Sequence, residues 1–228
     1  MLVSSLDVKI QGKLILSDIN LELRKGINLI LGPNGSGKTT LLRTIIGMIK
    51  PSKGFISIDE KIKSIGYSPA EFTPVDMRVI DVLQAGNNVR PLNVYKNVLK
   101  NIGMLNYLYR NFSTLSSGEK RLVLLAKALA EGDLVIMDEP TSNLDLRNQV
   151  IIMNIISKYR DEKDFIISTH DLEMLNIADT AYIIKNGRII KGGNIDEILD
   201  ENLLSEVYEV KIKKVFIEGR YVFLKQLF

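Results

Sequence analysis

The sequence contains no cysteine, so disulfide frameworks and thiolate metal sites are excluded. It also lacks a dominant charge: 30 basic residues face 27 acidic ones, for a formal net charge of +3. That balance does not mark a nucleic-acid binder. No apolar run approaches the roughly 18–20 residues needed to span a bilayer. The N-terminal stretch MLVSSLDVKIQGK has no basic segment followed by an apolar run and a small-residue cleavage site, so no signal peptide is expected. Internal repeats and low-complexity segments are missing too. The expectation is a soluble, cytoplasmic chain that can still sit on a membrane through a partner. What is present is apolar content: 46% of 228 residues, enough to bury a core for one large domain or one domain with an insert.

The pattern along the chain changes period several times. LDVKI and ILSDINLEL alternate apolar and polar residues, as half-buried strands do. GINLILG is nearly all apolar and reads as a strand covered on both faces. Leu41, Leu42, Ile45, Ile46 and Ile49 then recur at helical spacing, with Pro51 closing the segment. GFISI and SIGYS are further short strands. Residues 73–112, with the turn-rich GNNVRPLN, read as an inserted, mostly helical subdomain. SSGEKRLVLLAKALAEG predicts a long helix, apolar almost all round and therefore buried. The strand LVIMDEP, a helix over 146–159, the strand DFIISTH and a helix DLEMLNIAD follow. TAYIIKNGRIIKGG predicts a hairpin at Asn186-Gly187. A helix over 195–208 leads to a second hairpin turning near Glu218-Gly219. Strand–helix alternation in the middle argues for a parallel α/β sheet with helices on its faces and antiparallel strands at both ends.

GPNGSGKTT, from Gly32 to Thr40, carries the pattern G-x-x-x-x-G-K-[ST] between a predicted strand and a predicted helix. Glycines lack Cβ, so backbone N–H groups can turn inward and close on a phosphate. The helix beginning there adds its partial positive end. Lys38 brings a compact charge to the β- and γ-phosphates of a nucleotide, and the Thr39 hydroxyl suits Mg²⁺. In LVIMDEP, Asp138 stands at the carboxyl end of a buried strand, where ligands of open α/β sheets bind. Its carboxylate suits the second shell of Mg²⁺. Glu139 follows and could reach a water in line with the γ-phosphate, the place of a general base. The two stretches are expected to form one nucleotide site. His170, the only histidine, also ends an apolar strand; contact with the γ-phosphate and with Glu139 is its expected role. Phosphoryl transfer needs charge stabilisation on more than one side. Ser116, Ser117 and Gly118 precede the long helix and could offer N–H groups and a hydroxyl to an anion, although Ser116 with Glu119 reads locally as a capping box.

Taken in order, GPNGSGKT, LSSGE, LVIMDEP, SNLD and STHD resemble the ATP-binding cassette (ABC) ATPases over nearly the whole chain. The resemblance implies a P-loop NTPase (RecA-like) parallel sheet core with an N-terminal antiparallel β subdomain and an inserted helical subdomain. It implies one ABC ATPase domain over 1–228, with the helical subdomain at about 73–130 and a C-terminal helix and hairpin at about 195–228. Gly32, Pro33, Asn34, Gly35, Ser36, Gly37, Lys38, Thr39 and Thr40 would bind ATP as Walker A, and Thr39 and Asp138 would hold Mg²⁺. Leu134–Asp138 would be Walker B, with Glu139 as base, Ser142–Asp145 the D-loop and His170 the switch histidine. Leu115–Glu119 would be the signature, so that Ser116, Ser117, Gly118 and Glu119, with Asp145, complete the nucleotide site of a second, head-to-tail copy. ATP binding would close such a dimer, and hydrolysis would reopen it.

Three positions depart from the family pattern. Ser117 replaces the first glycine of Leu-Ser-Gly-Gly, which is tolerable if its φ is negative. No aromatic residue stands near Gln11 to stack on adenine, leaving Ile10 or Gln11 for contact. Ala70 occupies the place of the family's glutamine and has no acceptor for Mg²⁺ or water; Glu71 is adjacent. The stretches TPVDMRVIDVLQAGNNVRP and DEILDENLLSEVYEVKIKKVFIEGRYVFL are similar to the importer ATPases for iron–siderophore, haem and cobalamin complexes. That resemblance implies a separate transmembrane permease, an extracytoplasmic substrate-binding protein, a peripheral place on the inner face of the membrane, and no nucleic-acid partner. Two alternatives stand beside it: a soluble cassette ATPase without a transporter, and an ATP-gated dimerising clamp that hydrolyses slowly, the latter suggested by Ala70.

Overall fold

The computed structural model describes residues 1–73, 76–86 and 90–226. The expected GNNVRPLN turn falls partly on 87–89, outside the described residues. The chain runs β1 (Leu2–Ile10), β2 (Lys13–Glu22), β3 (Ile27–Leu31), α1 (Lys38–Ile45), β4 (Lys53–Ser57), β5 (Ile65–Ser68), α2 (Val79–Leu83), α3 (Leu92–Asn101), α4 (Ser117–Glu131), β6 (Leu134–Asp138), α5 (Leu146–Tyr159), β7 (Asp164–Thr169), β8 (Thr180–Lys185), β9 (Arg188–Asn194), α6 (Ile195–Ile198), α7 (Glu201–Tyr208), β10 (Lys211–Ile217) and β11 (Arg220–Gln226). Short 3₁₀ turns cover 105–107, 112–114 and 172–177. None of the described helices is long and apolar enough to cross a membrane. Contacts divide the chain into two compact units, 1–59 with 166–228, and 60–165.

The first unit contains an antiparallel sheet of order β2-β1-β4 and the strands β7-β3-β8-β9 side by side, β3 and β8 parallel, β8 and β9 antiparallel. Every residue of β3 is buried, as expected of an unbroken apolar strand covered on both faces. Three hairpins turn on pairs with positive φ at both positions: Gln11-Gly12 (49° and 78°), Asn186-Gly187 (51° and 72°) and Glu218-Gly219 (49° and 79°). Such pairs match the right-handed twist of the flanking strands.

The second unit pairs β5 with β6 in parallel. Helix α4 buries Leu122, Val123, Leu124, Leu125, Ala126, Ala128, Leu129 and Ala130, so nearly its whole circumference is covered. Helix α5 buries Ile152, Ile155, Ile156 and Tyr159, the i, i+3, i+4, i+7 stripe of an amphipathic helix. The segment expected as a helical insert lies within this unit.

Three expected helices differ from those observed. DLEMLNIAD forms a 3₁₀ turn over Leu172–Ile177, where the Asp171 carboxylate accepts from the Glu173 N–H and fixes a tight start. The expected helix over 195–208 is two helices, because Asp200 accepts from the Leu203 N–H and caps a new one. Helix α1 ends at Ile45, before Pro51, where Gly47 takes φ 78°.

Candidate functional site

In the first unit, β3 delivers the glycine-rich loop and α1 begins at Lys38. Gly37 precedes the helix at φ 108° and brings no side-chain cap, and the start of α1 after such a glycine is the kind of backbone geometry that suits an anion. A β-carbon on Gly32 would lie 2.2 Å from the Ile184 carbonyl oxygen, so the loop can pass this close to β8 only without a side chain. The Gly187 N–H donates to the Ser36 carbonyl at 2.9 Å, and the Ser17 N–H to the Gly187 carbonyl at 2.9 Å, bracing the loop from the β8–β9 turn.

Lys38 is only 5% exposed, and its Nζ donates back to the carbonyls of Gly32 (2.8 Å) and Pro33 (3.1 Å). The Ser36 hydroxyl is buried and finds no hydrogen-bond partner among the described residues. An orphaned hydroxyl beside a curled ammonium is what a phosphate oxygen would satisfy. A cavity of about 270 Å³ opens on this loop, lined by Pro33, Asn34, Gly35, Ser36, Lys185 and Asn186 with Val207, Tyr208 and Glu209. His170, exposed just after β7, lines a second cavity of about 290 Å³ with Pro33, Asn34, Leu172, Tyr208, Val210, Ile212 and Lys225. The structure thus gathers the loop and the lone histidine around one surface of this unit. The contributions of Tyr208 and Lys225 had no local signal in the sequence, because they arrive from the chain's far end. Ile10 and Gln11 are exposed at the β1–β2 turn.

In the second unit, all five residues of β6 are buried, and Asp138 at its end is 1% exposed. Glu139 follows in the left-handed region at φ 48°, a conformation that costs a non-glycine residue of order 1–3 kcal/mol. Ser142 Oγ donates to Glu139 Oε2 at 2.9 Å, and the Ser142 N–H to the Glu139 carbonyl at 3.2 Å. The backbone strain therefore coincides with a fixed carboxylate. The Thr39 hydroxyl in the first unit and the Asp138 carboxylate in the second are each hard oxygen donors of the kind Mg²⁺ takes.

Leu115–Glu119 forms a full capping box at the start of α4. The Glu119 N–H donates to Ser116 Oγ at 3.3 Å and the Ser116 N–H to Glu119 Oε2 at 2.8 Å. That backbone N–H, with weaker help from the Tyr107 and Ser116 side chains, holds the Glu119 carboxyl below the usual range. Ser117 opens the helix and is not among the residues with positive φ, so the serine fits without backbone strain. A β-carbon on Gly118 would lie 2.4 Å from Asn148 Nδ2. Asn148 is held in turn by Asp145, which accepts from its backbone N–H and its Nδ2, both at 2.8 Å, and so caps α5.

Ala70 follows β5, and its carbonyl accepts from Arg121 Nη2 at 2.6 Å; the Pro69 carbonyl accepts from Arg121 Nη1. Arg121 is 5% exposed. Burial pulls its pKa below the usual arginine range, opposed by the carboxylates of Asp138 and Glu139. Sequence reasoning missed this residue: an arginine next to a capping box looks like a solvated helix position.

A buried lysine-and-serine cradle at a strand-to-helix junction, on an α/β chain with strand-end carboxylates, defines a nucleotide-binding protein. The family model described as ABC transporter matches residues 16–142. The zinc import ATP-binding protein ZnuC of Buchnera aphidicola subsp. Schizaphis graminum is 33% identical over 189 residues, covering 80% of this chain and 78% of the relative. An uncharacterised ABC transporter ATP-binding protein of Methanocaldococcus jannaschii is 31% identical over 223 residues, covering 86% and 77%. A solved structure of a protein described as a metal-chelate type ABC transporter, in an inward-facing conformation, superposes with a TM-score of 0.85 at 26% identity, covering 98% of this chain and 96% of the other. CbiO1 of Clostridium perfringens, part of the transporter complex cbiONQ, superposes with a TM-score of 0.76 at 28% identity, covering 90% and 92%. The chain belongs to the ABC transporter family, as an ATP-binding protein with the ABC ATPase fold.

Proposed function

We propose that the chain hydrolyses ATP to drive an importer of metal-chelate type, of the iron-chelate or cobalamin kind. The single observation that carries the nucleotide reading is the cradle: a buried Lys38 turned onto loop carbonyls beside an orphaned Ser36 hydroxyl and an uncapped helix start. Support for the importer comes from the relatives, a zinc import ATP-binding protein and a metal-chelate type transporter among them.

The roles follow from side-chain chemistry. Gly32–Thr40 supplies N–H groups to the phosphates, and Lys38 places its charge at the β- and γ-phosphates. Thr39 and Asp138 would hold magnesium, which would supply charge neutralisation at the phosphate oxygens. Glu139 takes the proton of the attacking water, and His170 orients that water at the γ-phosphate. Ser116, Ser117, Gly118, Glu119 and Asp145 of a second, head-to-tail copy serve the same nucleotide. The dimer works with a transmembrane permease and an extracytoplasmic binding protein, on the inner face of the membrane.

Turnover and binding of the full chain with magnesium and ATP test this. Glu139→Gln is expected to keep ATP affinity, lose turnover and accumulate an ATP-bound dimer in size-exclusion chromatography; unchanged turnover removes Glu139 from the mechanism. Ala70 favours a second reading, a clamp that dimerises on ATP and hydrolyses slowly; a wild-type chain that dimerises with ATP but turns over negligibly decides for it.

A further inference from the structure

The loop after β5 lacks a polar side chain at position 70, yet it is not loose. Arg121, carried on the helix that the signature stretch opens, reaches it with two donors, Nη1 to the Pro69 carbonyl and Nη2 to the Ala70 carbonyl at 2.6 Å. The same guanidinium lies over the Phe72 ring, 5.5 Å from its centroid, and Phe72 packs edge-on against Phe112 at 5.9 Å between centroids. The loop is therefore gripped twice by one side chain, at its carbonyls and at its aromatic ring. Arg121 also lies in the field of Asp138 and Glu139, the strand-end acid pair. Its Nε is buried without a partner among the described residues, an unfavourable arrangement for a purely structural arginine.

A planar fork is what this geometry needs. A guanidinium presents parallel donors to two successive carbonyls and a flat face to an aromatic ring at once, and it stays charged when buried. An ammonium has the charge without the fork. A loop held only by packing would not need the charge, and burying it there is costly unless it is used.

We propose that Arg121 is a positioning residue for hydrolysis: it ties the signature helix to the Pro69–Phe72 loop, supplying through the backbone the restraint that Ala70 cannot supply through a side chain. The inference rests on the proposed ATPase reading. Through this tie, a displacement of the start of α4 is carried to the loop. As a positioning residue Arg121 does not touch the nucleotide, so it governs the rate of the chemical step and leaves affinity alone.

The test compares the full chain with Arg121→Met and Arg121→Lys, measuring the ATP dissociation constant, KM, kcat and the thermal midpoint. Misplacing a catalytic group by about 1 Å can cost about 100-fold in rate, so Arg121→Met is expected to lose at least about tenfold in kcat with affinity and KM within about twofold. Arg121→Lys, with charge but no fork, is expected to recover part of that loss. A kcat for Arg121→Met within twofold of wild type overturns the proposal, as does a fall in kcat that only tracks the folded fraction or the affinity. Should Arg121→Met not fold, Arg121→Lys decides: reduced kcat at unchanged affinity upholds the positioning role, and wild-type kcat overturns it. A wild-type chain that neither binds nor hydrolyses ATP defeats the ATPase reading itself, a result distinct from any of these.

Discussion

Gly66 sits in the middle of β5, buried, paired with Val135 of β6. Its φ is not in the left-handed region, so the backbone itself would accept alanine. The obstacle is space: a β-carbon there would lie 1.9 Å from the carbonyl oxygen of Ala128, 2.7 Å from its carbonyl carbon and 2.9 Å from its Cα, all backbone atoms of α4. A carbon–oxygen contact is comfortable from about 3.3 Å, so strand and helix must separate locally by about 1.4 Å (3.3 less 1.9). No rotamer change can relieve a clash with helix backbone. Overpacking in a well-packed core costs about 1–3 kcal/mol, and the backbone contact places Gly66→Ala at the upper end. For a chain of this size about 3 kcal/mol lowers the thermal midpoint by about 6–12 °C. Circular dichroism melting of the nucleotide-free chain measures it. A drop of less than about 2 °C would show that β5 and α4 part easily, and the close-approach reasoning would be wrong. Because β5 feeds the Pro69–Phe72 loop and α4 carries Arg121, the same variant is expected to lower ATP turnover beyond what the unfolded fraction explains.

Two further perturbations probe the same unit. Tyr95→Phe removes a buried hydroxyl that donates to Glu131 Oε1 at 3.0 Å and accepts from the Arg90 N–H at 3.0 Å. Glu131 keeps Lys127 at 2.6 Å, so the expected loss is about 1–2 kcal/mol, read as a lower denaturation midpoint; no change would mean that the α3–α4 bond is idle. Glu119 has a depressed folded pKa, so its contribution is present above the usual glutamate value of about 4.3 and disappears as pH falls through the folded value. The stability difference between wild type and Glu119→Gln at pH 7 is therefore expected to shrink progressively below about pH 4.3, and a difference independent of pH would contradict the capping role of the carboxylate.

Much of this molecule is written locally. The Asn186-Gly187 and Glu218-Gly219 hairpins turn where the sequence places them; for Asn186-Gly187 the reason is local, since both residues accept positive φ. The span of α5 was legible because Asp145 caps it and an apolar stripe continues to Tyr159. The Ser116–Glu119 capping box forms as its spacing suggests. Helices near Leu172 and Asp200 were misjudged because one aspartate in each place could either start a helix or tighten a turn, and neighbouring packing chooses. The position of Ser36 and Lys38 on the cradle was readable, but the orphaned hydroxyl was not, since its isolation depends on what surrounds it.

By itself the sequence determined most strands, the capped helices α4 and α5, the glycine-rich loop between β3 and α1 and the place of Asp138 at a strand end, because glycine freedom, helix caps and unbroken apolar runs act over a few neighbouring residues. Only the tertiary structure decided that Glu139 stands in a strained left-handed conformation held by Ser142, that Tyr208 and Lys225 return from the C-terminal end to the cavity beside His170, and that Arg121 grips the loop at Ala70. Those facts depend on which segments distant in sequence are packed together, and on the desolvation that makes a buried charge seek specific partners. No local pattern encodes either.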